Sequence, residues 1–417
     1  MSLNATPRGE RTHITVLGRT NAGKSSVVNA MTGQDISVVS PVRGTTTDPV
    51  YKAMELLPLG PVVLADTAGL DDEGLLGGLR KQKTRELIER TDLALLVIDA
   101  AEALLTGADG FYPDLLAELK KKNIPVVGVL NKIDTIDEVD RARARVKGQL
   151  GLECVPFSAT AGTGVTELTK AITGALPHDD DRFRIVGDLL SPGDVVVLVV
   201  PIDKAAPKGR LILPQQQTIR DILESDAIAV VTKEHELRAT LERLKGNPRM
   251  VITDSQVFLK VAADTPKEVP LTSFSILFAR HKGDLGELVK GARAVENLRD
   301  GDHVLIAEAC THHRQSDDIG SVKIPRWLRQ VTGKQLHIEQ FSGHSYPPDL
   351  TRYALIVHCG ACMLNRRDML HRLDEARAAG VPIVNYGVLI AYIHGVFPRA
   401  IELFPSAMMA WEESAVL

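Results

Sequence analysis

The stretch Gly18-Arg19-Thr20-Asn21-Ala22-Gly23-Lys24-Ser25 fits the spacing G-x-x-x-x-G-K-S and limits the fold more than any other part of the chain. A short apolar run at 13–17 precedes it, and a helical pattern at 26–31 follows it. Strand, glycine loop and helix in that order form the setting in which such a loop holds phosphate. Gly18 and Gly23 let the backbone curl so that its N–H groups face phosphate oxygens. Asn21 and Ala22 within the loop and Ser26 at the helix start complete the binding segment. The helix N-terminus adds a favourable dipole. Lys24 is placed to neutralise the β- and γ-phosphates, and Ser25 to bind Mg²⁺.

Further signals follow in a fixed order. An apolar strand at 62–65 runs into Asp66-Thr67-Ala68-Gly69. Asp66 would reach Mg²⁺ through water, and the Gly69 N–H would bind the γ-phosphate. A buried strand is expected at 93–99, and another at 126–130 leads into Asn131-Lys132-Ile133-Asp134. A carboxylate accepts two hydrogen bonds from guanine N1–H and N2–H₂, whereas adenine leaves it unpaired. Asp134 therefore argues for GTP over ATP. A strand at 155–157 precedes Ser158-Ala159-Thr160, where the Ala159 N–H is expected at guanine O6.

Over about residues 10–175 these signals resemble the small GTPases, in particular the translation-factor-like branch with Era and TrmE. The remaining family motif matches Gly44-Thr45-Thr46-Thr47-Asp48. The resemblance implies GTP hydrolysis with Lys24, Thr46 and Gly69 at the reacting phosphate. Thr46 is the first choice for the Mg²⁺ ligand of the switch, with Thr45 and Thr47 as alternatives. Position 70 is Leu where Ras-like enzymes orient water with Gln, so slow intrinsic hydrolysis is expected. Asn21 matches the residue that helps hold a stimulating K⁺ in the TrmE branch.

A chain of 417 residues has room for two or three domains. Its 44% hydrophobic and 24% charged residues are those of an ordinary globular protein. A net charge of -4 gives no electrostatic reason to expect nucleic acid or a membrane surface as partner. No run of eighteen apolar residues occurs, and residues 1–12 lack a signal-peptide core, so a cytoplasmic location is expected. Four cysteines in so long a chain do not make a disulfide framework.

The fold class expected is α/β, three domains with mainly parallel sheets. The divisions are a nucleotide domain at 1–175, a binding or oligomerising module at 176–265, which the resemblance named below implies is a dimerisation domain, and a cysteine-bearing domain at 266–417. In the middle part, strand patterns at 195–200, 227–232 and 249–253 alternate with helical ones. Asp203 and Lys204 read as an ordinary solvated turn. In the last part, strands at 303–309, 335–341, 353–357 and 381–384 each run into a loop that bears chemistry. Those loops hold Cys310, His344, Cys359 with Cys362, and Tyr386. Ligands of open parallel sheets sit outside the carboxyl ends of the strands, so the three cysteines can converge there.

The C-x-x-C spacing of Cys359 and Cys362 suggests a metal or redox role. The residues alone leave three readings: a packed cysteine trio, a Zn²⁺ site with three thiolates and one imidazole, and an iron–sulfur cluster on three cysteines. Taken with the GTPase motifs, Cys310-Thr311-His312 and His358-Cys359-Gly360-Ala361-Cys362 resemble the [FeFe]-hydrogenase maturation GTPases. So do Asp318-Ile319-Gly320 and Lys323-Ile324-Pro325-Arg326. The resemblance implies a [4Fe-4S] cluster on Cys310, Cys359 and Cys362. It also implies a homodimeric carrier of a diiron precursor, working with two radical-SAM maturases and the hydrogenase apoprotein. His312, His358 and Asp317 are candidates for the fourth iron position. In a continuing strand the His358 side chain points away from that of Cys359. His313 and His344 read as supporting or surface residues, Cys154 as a packed thiol, and Trp327 and Trp411 as core anchors. The alternative is a zinc-stabilised Era-like GTPase switch in RNA or ribosome assembly, against which the absence of a basic, aromatic-studded stripe counts.

Overall fold

Apolar runs without alternation become strands covered on both faces, and the centre of the first sheet holds such strands. In this computed structural model the described residues are 8–33, 49–67, 83–108, 110–176, 184–201, 211–244, 248–309, 318–343 and 345–414. They fall into two units, Met1–Arg182 and Phe183–Leu417. In the first, β1 (Thr12–Gly18), β3 (Gly60–Asp66), β4 (Leu93–Asp99), β5 (Val126–Asn131) and β6 (Cys154–Pro156) run parallel. The sheet order is β2-β3-β1-β4-β5-β6, with β2 (Val50–Leu56) antiparallel to β3. The expectation missed β2, because its residues alternate between exposed and covered along a sheet edge instead of forming an apolar run.

Strand β4 shows how the layers form. Ala94, Leu96 and Ile98 join one apolar cluster, which includes α2 (Ala100–Leu105), α3 (Phe111–Lys121) and α4 (Val139–Leu150) residues. Leu93, Leu95 and Val97 point the other way, into a cluster with α1 (Lys24–Thr32) and α5 (Val165–Ala175). The period of two along the strand sets this division.

The second unit holds two four-stranded parallel sheets. One has the order β10-β9-β7-β8, from β7 (Val195–Val199), β8 (Ile228–Thr232), β9 (Met250–Thr253) and β10 (Leu271–Ser273). The other has the order β12-β11-β13-β14, from β11 (His303–Glu308), β12 (His337–Ser342), β13 (Leu355–His358) and β14 (Ile383–Asn385). Helices α6 (Leu213–Glu224), α7 (Leu237–Arg243), α8 (Phe258–Asp264) and α9 (Phe274–Lys282) belong with the former. Helices α10 (Leu285–Arg293), α11 (Ile324–Thr332), α12 (Arg366–Ala378), α13 (Tyr386–Ile393) and α14 (Pro405–Glu413) belong with the latter. A single apolar cluster takes in Val197 and Ile252 from one sheet and Leu305 and Ile356 from the other. Strand β10 lies beyond residue 265 yet pairs with β9, Leu271 opposite Val251. Helix α13 is apolar almost all round and buried, so it carries no helical periodicity to read.

Each sheet changes direction once. The chain leaves β1 towards β3 on one side, and leaves β4 towards β5 on the other. The same reversal falls between β11 and β13. Such switch points open a crevice at the carboxyl ends of the two strands. Among the described residues no helix is long and apolar enough to cross a membrane.

Cys154 starts β6 with only 4% of its surface exposed, and burial pushes its thiol up to about 12. A thiol held protonated and covered does not react. Iodoacetamide at pH 8 is therefore expected to label Cys154 only after denaturation, as read by peptide mass mapping. Labelling of the folded protein at this position would contradict the packing of β6.

Candidate functional site

The first candidate site lies at the β1/β4 switch point. Gly18 packs so closely on β4 that a Cβ there would stand 2.4 Å from the Val97 carbonyl oxygen. Asn21, with φ 63°, and Gly23, with φ 88°, bend the loop through left-handed backbone. The Lys24 ammonium lies back over the loop and donates to the carbonyls of Gly18 (3.1 Å) and Arg19 (2.6 Å). Asn131 at the end of β5 is buried and joins two loops. Its Nδ2 donates to the Ala22 carbonyl at 2.9 Å, and its Oδ1 accepts from the Ala159 N–H at 3.4 Å.

Asp134 is oriented from two sides. Ser158 Oγ donates to one carboxylate oxygen at 2.6 Å and Thr160 Oγ1 to the other at 3.1 Å. The Ser158 hydrogen bond, with further help from backbone and Thr160, holds the carboxyl below the usual range. Lys132 pairs with Asp99 at 2.7 Å, and Asp99 caps α2 by accepting from Ala101 and Glu102 N–H groups. Sequence reasoning did not single out Asp99, because its role depends on a partner 33 residues away. Arg19 bonds Glu102 and lies over the Phe111 and Tyr112 rings, so this loop side chain is fixed on the α2–α3 side.

Ser25 Oγ donates to Asp66 Oδ2 at 2.5 Å. Burial raises the Asp66 carboxyl, against the pull of that hydrogen bond and of Lys24 and Lys52. The other oxygen, Oδ1, is buried with no hydrogen-bond partner. A hydroxyl beside an orphaned carboxylate oxygen is a donor set that suits Mg²⁺, a hard cation. Thr46 and Gly69, the 44–48 segment and Leu70 lie outside the described residues.

The second candidate site lies at the β11/β13 switch point. Ala307 faces His358 across the ladder, and the Cys359 N–H continues it to the Ala307 carbonyl at 2.9 Å. The Ala309 N–H donates to the Cys359 sulfur at 3.3 Å. Burial pushes the Cys359 thiol up, while N–H groups of Ala309 and Ala361 and the Arg372 charge oppose that rise. Ala361 is buried in left-handed backbone with φ 53°, and its carbonyl accepts from the Leu364 N–H at 3.1 Å. This turn carries Cys362 and leads into α12.

His358 is fully buried, and burial holds its imidazole down at about 3, with the Arg372 charge adding to the effect. Its Nδ1 stands 2.8 Å from the Cys359 carbonyl oxygen, which only accepts, so Nδ1 carries the proton. Nε2 is left as a buried lone pair with no hydrogen-bond partner. Arg372 from α12 is fully buried, donates to the Gly343 carbonyl at 3.0 Å and lies 4.3 Å from the Tyr346 ring centroid. At the end of β11, Glu308 accepts from Tyr386 and Ser342 hydroxyls, both at 3.3 Å. Gly320 lies so close that a Cβ would stand 2.3 Å from the Tyr386 hydroxyl. Asp318 caps the turn holding that glycine by accepting from Ser321. Cys310, His312 and Asp317, with His313 and His344, lie outside the described residues. Among the described residues no three His, Cys, Asp or Glu side chains are grouped to hold a metal. Lys282 and Arg372 are neighbours of the cysteine loop that no local pattern marks: Lys282 arrives from α9, 80 residues before Cys362, and Arg372 from within α12, the helix that follows the loop.

Comparison with known proteins gives three matches to family models. Residues 13–132 match a model described as 50S ribosome-binding GTPase. Residues 185–283 match the hydrogen maturase F dimerization domain, and residues 286–403 the hydrogen maturase F tetramerization domain. Among curated relatives, the tRNA modification GTPase MnmE of Bordetella petrii is 36% identical over 38% of this chain and 32% of its own length. GTPase Der of Sulfurimonas denitrificans is 39% identical over 32% of this chain and 27% of its own. GTPase Era of Aquifex aeolicus is 28% identical over 41% of this chain and 58% of its own. The chain thus spans about a third of the MnmE and Der relatives.

Two substitutions test the first site. A Cβ on Gly23 would meet Asn131 Nδ2 at 2.2 Å, so Gly23→Ala is expected to displace Asn131 and abolish measurable GTP binding by calorimetry. Asp134→Asn exchanges a charged acceptor for an amide, a change expected to cost on the order of 10- to 100-fold in Kd. Affinity for GTP should fall by that factor and affinity for xanthosine triphosphate should rise. An unchanged preference would contradict guanine recognition by Asp134.

Proposed function

Because this chain belongs to the hydrogen maturase F family, we propose that it is a GTPase and iron–sulfur scaffold that assembles and delivers the diiron precursor of the [FeFe]-hydrogenase active site. Its first unit is a GTPase domain, and its second carries the family's oligomerization domains. One observation carries the scaffold reading. The Cys359 sulfur stands at the β11/β13 switch point and accepts the N–H of Ala309, the residue before Cys310 in the sequence. Backbone N–H bonds to sulfur are a means by which proteins stabilise iron–sulfur ligands.

The [4Fe-4S] cluster would be held by Cys310, Cys359 and Cys362. Such a set leaves one iron for a weaker ligand, and His312, His358 and Asp317 are the candidates. His358 offers a neutral lone pair at Nε2. At the first site, Lys24 and the loop amides would hold the GTP phosphates, Ser25 and Thr46 would bind Mg²⁺ with Asp66 beside it, and Gly69 would contact the γ-phosphate. Leu70 cannot orient water, so turnover is slow and serves as a gate on delivery. Asn21 would support stimulation by K⁺. The partners are the hydrogenase apoprotein and two radical-SAM maturases, in the cytoplasm. In the part that matches the dimerization domain, β8 is a sheet edge that exposes Ile228 and Val231, which suits pairing with a second copy.

Protein purified without oxygen is expected to be brown, with iron and sulfide in comparable amounts, and Cys359→Ala to lose most of both. A colourless protein holding stoichiometric zinc would favour the zinc-stabilised GTPase switch. GTP turnover should be faster in K⁺ than in Na⁺ buffer; equal rates would remove the role given to Asn21. A Lys24→Ala variant that matures hydrogenase as well as the unaltered chain would refute gating.

A further inference from the structure

Lys282 is the last residue of α9, the helix that closes the dimerization match, and only 2% of it is exposed. Its ammonium reaches into the cysteine loop. Nζ donates to the carbonyls of Ala361 (3.4 Å), Cys362 (3.2 Å) and Leu364 (2.8 Å). An ammonium has three N–H donors, and three carbonyl oxygens meet them here. The carbonyls converge because Ala361 is in left-handed backbone and the chain then turns into α12. Oxygen dipoles aimed at one point repel one another unless a cation sits between them. Burying an ammonium is costly without such acceptors. Loop and lysine thus each need the other.

The contact is returned from the opposite side. Arg366, the first residue of α12, donates to the carbonyls of His281 (2.6 Å) and Gly283 (3.3 Å), at the end of α9. Each helix end is therefore held by a cation from the other. The two contacts enclose residues 361–366 and 280–283 in one small network.

We propose that Lys282 is a positioning residue for metal bound at the cysteine loop, fixing the Cys362 turn and tying it to the last helix of the dimerization module. This rests on the metal-site reading of Cys359 and Cys362. Lys282 touches no metal in this scheme; it acts through the backbone of the residues that would. It also gives the dimerization module a direct hold on the loop, so a shift of α9 would reach the thiols without passing through any other element.

The probe is Co²⁺ added without oxygen to cluster-free, full-length protein, whose thiolate-to-cobalt charge-transfer absorption reports bonds to sulfur. Residues that orient metal ligands are worth roughly 10- to 100-fold in metal affinity. Lys282→Met is expected to weaken Co²⁺ binding by about 10-fold or more and to lower the charge-transfer absorbance per bound cobalt. Lys282→Arg, which keeps the charge and several donors, should recover part of both. Circular dichroism serves as the folding control. If Lys282→Met does not fold, Lys282→Gln, which retains one amide donor group, is read in the same way. Charge-transfer bands and affinity left unchanged by these variants overturn the proposal. Absence of any thiolate band in the unaltered protein overturns the metal-site reading instead, and this proposal with it.

Discussion

A parallel strand ladder delivers all its strands to one edge, and both candidate sites depend on that constraint. In the first sheet the phosphate loop leaves β1 at the point where neighbouring connections part to opposite sides. In the third sheet the loops leaving β11 and β13 part in the same way. Connections that leave two neighbouring strands to opposite sides open a crevice between the strand ends. Residues far apart in sequence meet there because the register leaves them no other course. Ala307 pairs with His358, and the next steps along both strands bring the Ala309 N–H to the Cys359 sulfur.

Placement at a strand end does not by itself fix a loop, and both sites use buried polar side chains to do so. Asn131 bonds the phosphate loop through Ala22 and the base-recognition loop through Ala159. Lys282 bonds three carbonyls of the cysteine loop. In each case a side chain from a different element bonds main-chain groups of a loop. Main-chain anchoring fixes backbone position while leaving the side chains of the loop available for ligand. Removing either anchor takes away more than one main-chain hydrogen bond at once, which makes it more disruptive than its contact area implies.

Much of this was readable in the sequence, for identifiable reasons. Fully covered strands such as β4 and β7 are unbroken apolar runs, and the run at 93–99 became β4 with the same limits. The phosphate loop and the Asn131–Asp134 motif are short continuous segments, so their residue types and spacing are visible in the sequence alone. What the sequence hid was non-local or half-exposed. β2 is an edge strand whose alternating exposure resembles a loop. β10 has three residues, too few for a period. α13 is buried on nearly every side and shows no amphipathic stripe. Lys282 reads as an ordinary charged residue at a helix end, and only the fold puts it 79 to 82 residues away against the cysteine turn. The expectation of a dimer likewise omitted the tetramerization match at 286–403, since oligomer contacts leave no local pattern in a single chain.

The environment of Cys359 also bears on which chemistry its C-x-x-C spacing serves. Redox pairs of this spacing work because the attacking thiol is exposed and its acidity is enhanced, as at a helix N-terminus. Cys359 has the opposite setting: it follows a buried strand, and burial pushes its thiol up. As a nucleophile in thiol exchange it would be poor. As a metal ligand the same setting is an advantage, because the metal displaces the proton and supplies the positive charge that burial denies to a bare thiolate. The hydrogen bond from Ala309 and the Arg372 charge offset part of what burial costs a Cys359 thiolate, and a bound metal would have to supply the rest.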